Sequence, residues 1–166
     1  MQPILALSLT ASLLLAGCST SAPVSQPPAN GDNLTDTCKA TSQAEIAELF
    51  ERWNQSLLTG DPSRVVANYA VDSVLLPTVS NMPRMTPEQK EDYFHHFLEN
   101  QPSGKIDSRT IQLYCNTAVD VGLYTFTFAK TGAQVHARFT YTYKWDGQQW
   151  LITSHHSSAM PENKDH

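Results

Sequence analysis

The stretch Val135–Ser158 reads VHARFTYTYKWDGQQWLITSHHSS. Two runs rich in Thr, Tyr, Phe, Trp and Ile flank Asp146-Gly147, a dipeptide that favours a tight hairpin turn. In the first run Arg138, Thr140, Thr142 and Lys144 share one face, and Phe139, Tyr141, Tyr143 and Trp145 share the other, because strand side chains alternate. A lone two-stranded ribbon is marginal in water, so the rest of the chain must supply its cover.

Further strands precede the ribbon, at about Lys105–Cys115 and Gly122–Lys130, the second turning at Thr131-Gly132. Before these lie helices. Ser42 and Glu45 make a capping-box signature, and Ile46, Leu49, Phe50, Trp53 and Leu57 recur at three-and-four spacing up to about Leu58. Burying that stripe contributes roughly 10 kcal/mol gross before conformational entropy is subtracted. Gly60 stops the helix, and Asp61-Pro62 starts a short second one with Val65, Val66 and Tyr69 on its buried side. Val71–Leu76 reads as a short strand. Thr86-Pro87 opens a third helix that runs to about Asn100, with Tyr93, Phe94, Phe97 and Leu98 apolar. Helices first and antiparallel strands after is an α+β layout, with helices packed on one face of a curved sheet.

The N-terminus reads as targeting rather than fold. Ile4–Ala16 is an apolar run of signal-peptide length ending in Leu15-Ala16-Gly17-Cys18, which resembles the lipobox of bacterial lipoproteins, although no Lys or Arg precedes it. An ordinary cleaved signal with a chance Cys is the alternative. The lipoprotein reading makes residues 1–17 a signal peptide and Cys18 the lipidated residue. It makes 18–37, rich in Ser and Pro, a disordered tether, 38–162 the folded domain and 163–166 a loose tail. Ser19 after the anchor Cys resembles the outer-membrane sorting choice, which places the domain in the cell envelope, facing the periplasm.

Beyond Cys18 only Cys38 and Cys115 remain, and two cysteines in an exported chain suggest one disulfide, worth at most about 4 kcal/mol in the chain-entropy model. Neither a CxxC pattern nor any cofactor fingerprint such as GxGxxG is present, so no metal or cofactor is expected. The net charge of −5, with no Lys/Arg cluster, gives no electrostatic support for nucleic-acid binding. No run of twenty apolar residues exists, so membrane contact is expected only through the anchor.

Trp53–Pro62, the segment Asn68-Tyr69-Ala70-Val71-Asp72, Val74–Asn81, Tyr124–Thr127, Ala137–Thr140 and the close at His155–Glu162 together resemble the NTF2-like superfamily. Within it they are most similar to bacterial relatives of the association (hub) domain of calcium/calmodulin-dependent protein kinase II, the SgcJ/EcaC-type family. The resemblance covers roughly Thr41–Glu162. It implies a cystatin-like cone, a curved antiparallel sheet wrapped round a long N-terminal helix with a pocket inside. It also implies homo-oligomers built by sheet-to-sheet contact. It does not imply a kinase, since no Gly-rich loop, VAIK-like Lys, HRD or DFG occurs.

Arg84, Arg109 and Arg138 are the candidate ligand-binding cations. If the Arg138 face lines the cone, its guanidinium needs an anionic partner, and two or three such arginines make a carboxylate or phosphate pocket. The alternatives are a surface Arg, or an internal pair with Asp72, Asp107 or Asp120. Two pocket arginines of the kinase hub fall on Phe126 and Thr140 here, so the animal hub's ligand does not transfer. His155 and His156 face opposite sides of a strand. A two-residue turn puts His155 across from Arg138, and a three-residue turn puts His156 there. An interior His is either a general acid or base or a hydrogen-bonded structural residue. Tyr93, with Tyr69 and Trp53, lines either the pocket or the core. Asp107 and Asp120 are the nearest carboxylates to an interior base. The leading expectation is a non-catalytic, oligomeric binding module for a small anion. A small isomerase, hydrolase or cyclase using an interior His or Asp is the alternative, and a purely structural envelope piece is the third.

Overall fold

A computed structural model describes residues 37–78 and 80–161. The expected leader, the anchor Cys18, most of the tether and the tail lie outside the described residues. The elements are α1 (Gln43–Leu57), α2 (Pro62–Val66), β1 (Tyr69–Leu76), α3 (Pro87–Leu98), β2 (Pro102–Tyr114), β3 (Thr117–Phe128), β4 (Ala133–Trp145) and β5 (Trp150–Ala159). The order in the single sheet is β1-β5-β4-β3-β2. Strands β2 to β5 form an antiparallel meander, and β1 joins β5 in parallel at the edge.

Each helix starts where a side chain can satisfy its free amides. Ser42 accepts from the Glu45 N–H, Asp61 from Ser63, and Thr86 from Gln89, whose own side chain completes a capping box. Glu45 does not close the box expected with Ser42, because its carboxylate accepts from Thr41 Oγ1 instead. Helix α1 buries Ile46, Leu49, Phe50, Trp53 and Leu57 against the sheet, as its spacing requires. The buried side of β4 is Phe139, Tyr141 and Tyr143. Phe50 and Trp53 reach into them, with Trp53 5.9 Å and Phe50 6.2 Å from the Tyr141 ring. The concave face is therefore filled by aromatic rings, which bury far more apolar area than the Arg/Thr/Lys face could.

Besides a register shift between Tyr69 and Val74 where β1 pairs with β5, two irregularities interrupt the sheet. A bulge falls between Ile106 and Ser108 on β2. There Gly122 on β3 comes so close that a Cβ on it would meet Ser108 O at 2.0 Å, so only glycine fits. A second shift falls between Thr142 and Tyr143 where β4 pairs with β5. The Cys38–Cys115 disulfide is formed and ties the segment before α1 to the end of β2. Among the described residues no helix is long and apolar enough to cross a membrane.

Candidate functional site

The β4–β5 hairpin decides where the expected ligand residues go. Its loop is four residues, Asp146–Gln149, with Trp145 opposite Trp150. The Asp146 carboxylate accepts from both Gln148 and Gln149 N–H at 2.7 and 2.8 Å, which opens the turn beyond two residues. With the extra residue in β5, Arg138 pairs with Ser158, His156 with Thr140, and His155 with Tyr141. Both turn lengths considered above are therefore corrected, and neither histidine stands across from Arg138.

Arg138 is exposed on the outer face of the sheet, and its Nη2 reaches only the Ala159 carbonyl at 3.4 Å. An anion pocket built round Arg138 inside the cone is not formed. A guanidinium is cheaper to leave in water than to bury where Phe, Tyr and Trp can pack. His156 lies on the same outer face, exposed. Arg109 turns inward and makes the internal pair that was the alternative. Its Nη2 lies 3.1 Å from Asp120 Oδ2, its Nη1 donates to the Ala47 carbonyl, and its guanidinium lies 5.7 Å from the Phe50 ring centre.

Asp120 belongs to a row that crosses the whole sheet. Leu75, His155, Tyr141, Asp120 and Ile111 are successive register partners on β1, β5, β4, β3 and β2, and all are buried. His155 stacks on Tyr141 with ring centres 4.1 Å apart. Trp53 Nε1 donates to the Tyr69 hydroxyl at 3.1 Å, and that hydroxyl lies 2.8 Å from His155 Nδ1. Burial, with the neighbouring His156, drops His155 from 6.5 to about 3, so the ring is neutral. A hydroxyl that accepts the indole proton can donate its own to Nδ1, which assigns the ring proton to Nε2. Burial lifts the Asp120 carboxyl from 3.8 to about 6 against the opposing pull of Arg109. Asp120 Oδ1 and Oδ2, the Tyr141 and Tyr143 hydroxyls and His155 Nε2 have no hydrogen-bond partner among the described residues. The Arg109–Asp120 contact is close in distance but not aligned as a hydrogen bond. These titratable groups lie under α1, packed against rings. The structure thus gives the bland role to His155 as a hydrogen-bonded core residue. It also reveals a buried carboxylate that no motif marked.

Two of the expected residues do meet, at an open cleft of about 380 Å3 lined by Ser80, Arg84, Tyr93, His96, Phe97, Asn100 and Phe128. Arg84 is held there by its backbone, which exchanges two hydrogen bonds with Leu75 on the edge strand. Its side chain is only 15% exposed, with the guanidinium 5.7 Å from the Tyr93 ring centre. Its partners are weak. Nη2 donates to Ser80 Oγ at 3.4 Å, Nη1 meets the Met82 thioether at 3.2 Å, and the exposed Asp92 carboxylate lies 3.8 Å away. Nε is buried and has no hydrogen-bond partner among the described residues. Burial raises Tyr93 to about 12, keeping its hydroxyl protonated as a donor. Phe97 stacks on Tyr93 at 5.7 Å and meets Phe128 edge-on at 5.8 Å. Sequence reasoning identified Arg84 and Tyr93 but not Ser80, His96, Asn100 or Phe128 as cleft residues. Nothing local marks them, since they come from the loop before α3, from α3 and the turn after it, and from the end of β3.

A second open cleft of about 330 Å3 lies between α1 and the hairpin, lined by Glu45, Glu48, Leu49, Arg52, Trp145, Gln149 and Trp150. Arg52 there is already engaged, donating to Asn68 Oδ1 at 2.9 Å and to the Trp150 carbonyl at 2.7 Å. Among the described residues no group of three or more His, Cys, Asp or Glu side chains is placed to hold a metal ion.

The family model described as the calcium/calmodulin dependent protein kinase II association domain matches residues 42–161. Among solved structures, a Xanthomonas campestris protein assigned to that association domain is 49% identical, with a TM-score of 0.69 over 76% of this chain and 96% of that one. An NTF2-like protein from Pseudomonas putida KT2440 is 19% identical, with a TM-score of 0.65 over 76% and 92%. A cystatin-like protein from Nostoc punctiforme is 18% identical, with a TM-score of 0.64 over 75% and 96%. The last two likenesses speak to fold alone. A comparison with curated proteins finds no match. Helix α1, the meander and the edge strand are thus those of an NTF2-like, cystatin-like domain, and the chain belongs to the calcium/calmodulin-dependent protein kinase II association domain family.

Proposed function

We propose that this chain is an exported, lipid-anchored association module, non-catalytic, whose Arg84 cleft takes a small anion. The observation that carries the ligand reading is the Arg84 side chain. This guanidinium is 15% exposed, and among the described residues its one carboxylate neighbour stands 3.8 Å off and is itself exposed. An incoming carboxylate or phosphate can replace the Met82 and Ser80 contacts with a two-pronged, charge-assisted pair. Export and anchoring are supported by the Leu15–Cys18 pattern and by the Cys38–Cys115 pair, since disulfides persist in oxidising compartments. Ser19 supports the outer membrane, facing the periplasm. Self-association is supported by family membership, with a second copy of this chain as the partner.

A thermal-shift screen of acetate and inorganic phosphate, with Arg84→Gln and Arg138→Ala alongside, tests the ligand reading. Stabilisation of the wild type and of Arg138→Ala, lost in Arg84→Gln, is the expected result. Absence of any shift in the wild type contradicts it.

Asp120 supports a second reading, a small enzyme. Its carboxyl at about 6 is suited to proton transfer near neutral pH, and interior bases need such tuning. Against it, Phe50 and Trp53 pack over the row, and Asp120 lines neither of the two open clefts.

A further inference from the structure

We propose that the Arg84 cleft is built for an aromatic carboxylate, whose ring lies against Phe97 and Phe128 while its carboxylate pairs with Arg84. The inference rests on the anion reading above and names the ligand class for that site. The cleft offers two chemistries side by side. At one end are the under-partnered guanidinium and, 3.4 Å from it, the Ser80 hydroxyl, whose oxygen also accepts from the Met82 N–H. Along the wall run Tyr93, Phe97 and Phe128, the first two nearly parallel at 16° and the third edge-on at 86°. A flat ring placed there can make the offset and edge contacts that aromatic groups prefer. Asn100, and His96 with its Nδ1 3.4 Å from Glu99 Oε1, also line the cleft and can meet a polar substituent.

Size points the same way. About 380 Å3 falls within the roughly 300–1,000 Å3 range of small-molecule sites. An anion of two carbons or a free phosphate would satisfy Arg84 but leave the ring wall against water. A ligand that covers both ends gains from each, and the fixed spacing between guanidinium and wall sets where its carboxylate must sit relative to its ring.

Isothermal titration of the purified full-length chain with benzoate, benzamide, acetate and inorganic phosphate tests this. Benzoate is expected to bind at least about tenfold more tightly than acetate or phosphate, and about tenfold more tightly than uncharged benzamide. Phe97→Leu, with Phe97→Ala as the harsher change, is expected to bring the ratio of benzoate to acetate affinity, measured in the same variant, down to about one. Arg84→Gln is expected to weaken both anions about tenfold. If acetate and phosphate bind the wild type as tightly as benzoate, the aromatic assignment is overturned and the anion site stands. If no anion binds, or benzamide matches benzoate, or Arg84→Gln changes nothing, both fall.

Discussion

The interior row and the Arg84 cleft hold the same kinds of groups, yet the fold treats them in opposite ways. In the row, Asp120, Tyr141 and His155 are sealed beneath α1, and Arg109 has turned inward to face the one carboxylate. In the cleft, Arg84 is about as buried as Arg109, but its partners are a thioether, a hydroxyl and a distant carboxylate, and the space before it is open. A paired charge among packed rings serves the architecture. An under-paired one at the edge of a cavity invites a ligand. The distinction depends on what surrounds each arginine, which is why Arg84, Arg109 and Arg138 end with three different roles.

The largest effect is expected at the interior. Trp53→Ala removes the ring that touches Phe94, Phe126, Tyr141 and His155. Denaturant unfolding should show a loss of roughly 3–5 kcal/mol. A loss under about 1 kcal/mol would mean that the interior is not the packed core described above.

The next effect is a pH dependence. Asp120 has a raised folded-state pKa, so its contribution is full below 3.8 and lost as pH rises through about 6. His155 has a depressed one, so its contribution is full above 6.5 and lost as pH falls towards about 3. Between about 4 and 6 the two slopes oppose each other in the wild type. Asp120→Asn should unmask the histidine slope. Relative to wild type it should lose about 1.4 kcal/mol for each unit of acidification in that window. Parallel stability curves for the two proteins would show that Asp120 is not the buried titrating group.

Smaller effects are expected at the cleft and smaller still outside it. Arg84→Gln should change unfolding stability by less than about 1 kcal/mol while abolishing the anion-induced thermal shift, because its present partners are weak. Arg138→Ala should move stability by less than about 0.5 kcal/mol and leave the shift intact, as befits an exposed side chain. If the two variants exchange these outcomes, the anion belongs to the outer sheet face.

Much of the fold was legible because its signals are local. Ser42, Asp61-Pro62 and Thr86-Pro87 announce helix starts within three residues, and the α1 stripe follows from helical spacing alone. The orientation of β4 was not legible in the same way. Alternation divides Phe139, Tyr141 and Tyr143 from Arg138 and Thr140, but which set faces α1 is a question of packing, answered by the greater apolar area of the aromatic set. The partners of Arg138 were lost for a different reason. One carboxylate, Asp146, holds open a four-residue loop, and one further residue inserted in β5 resets the whole register. The cleft was legible only at Arg84 and Tyr93. Its other walls come together from residues 80 to 128, and no periodicity joins a loop serine to a strand-end phenylalanine.

The position taken by a bound aromatic carboxylate separates the Arg84 cleft from the outer sheet face most directly. Crystals of the chain soaked with 4-bromobenzoate, with the bromine located by anomalous scattering, give the answer in one map. The expected result is a single bromine beside Phe97 and Phe128 with the carboxylate on Arg84. A bromine lodged against Arg138 on the outer sheet, or none in the Arg84 cleft at saturating concentration, contradicts it.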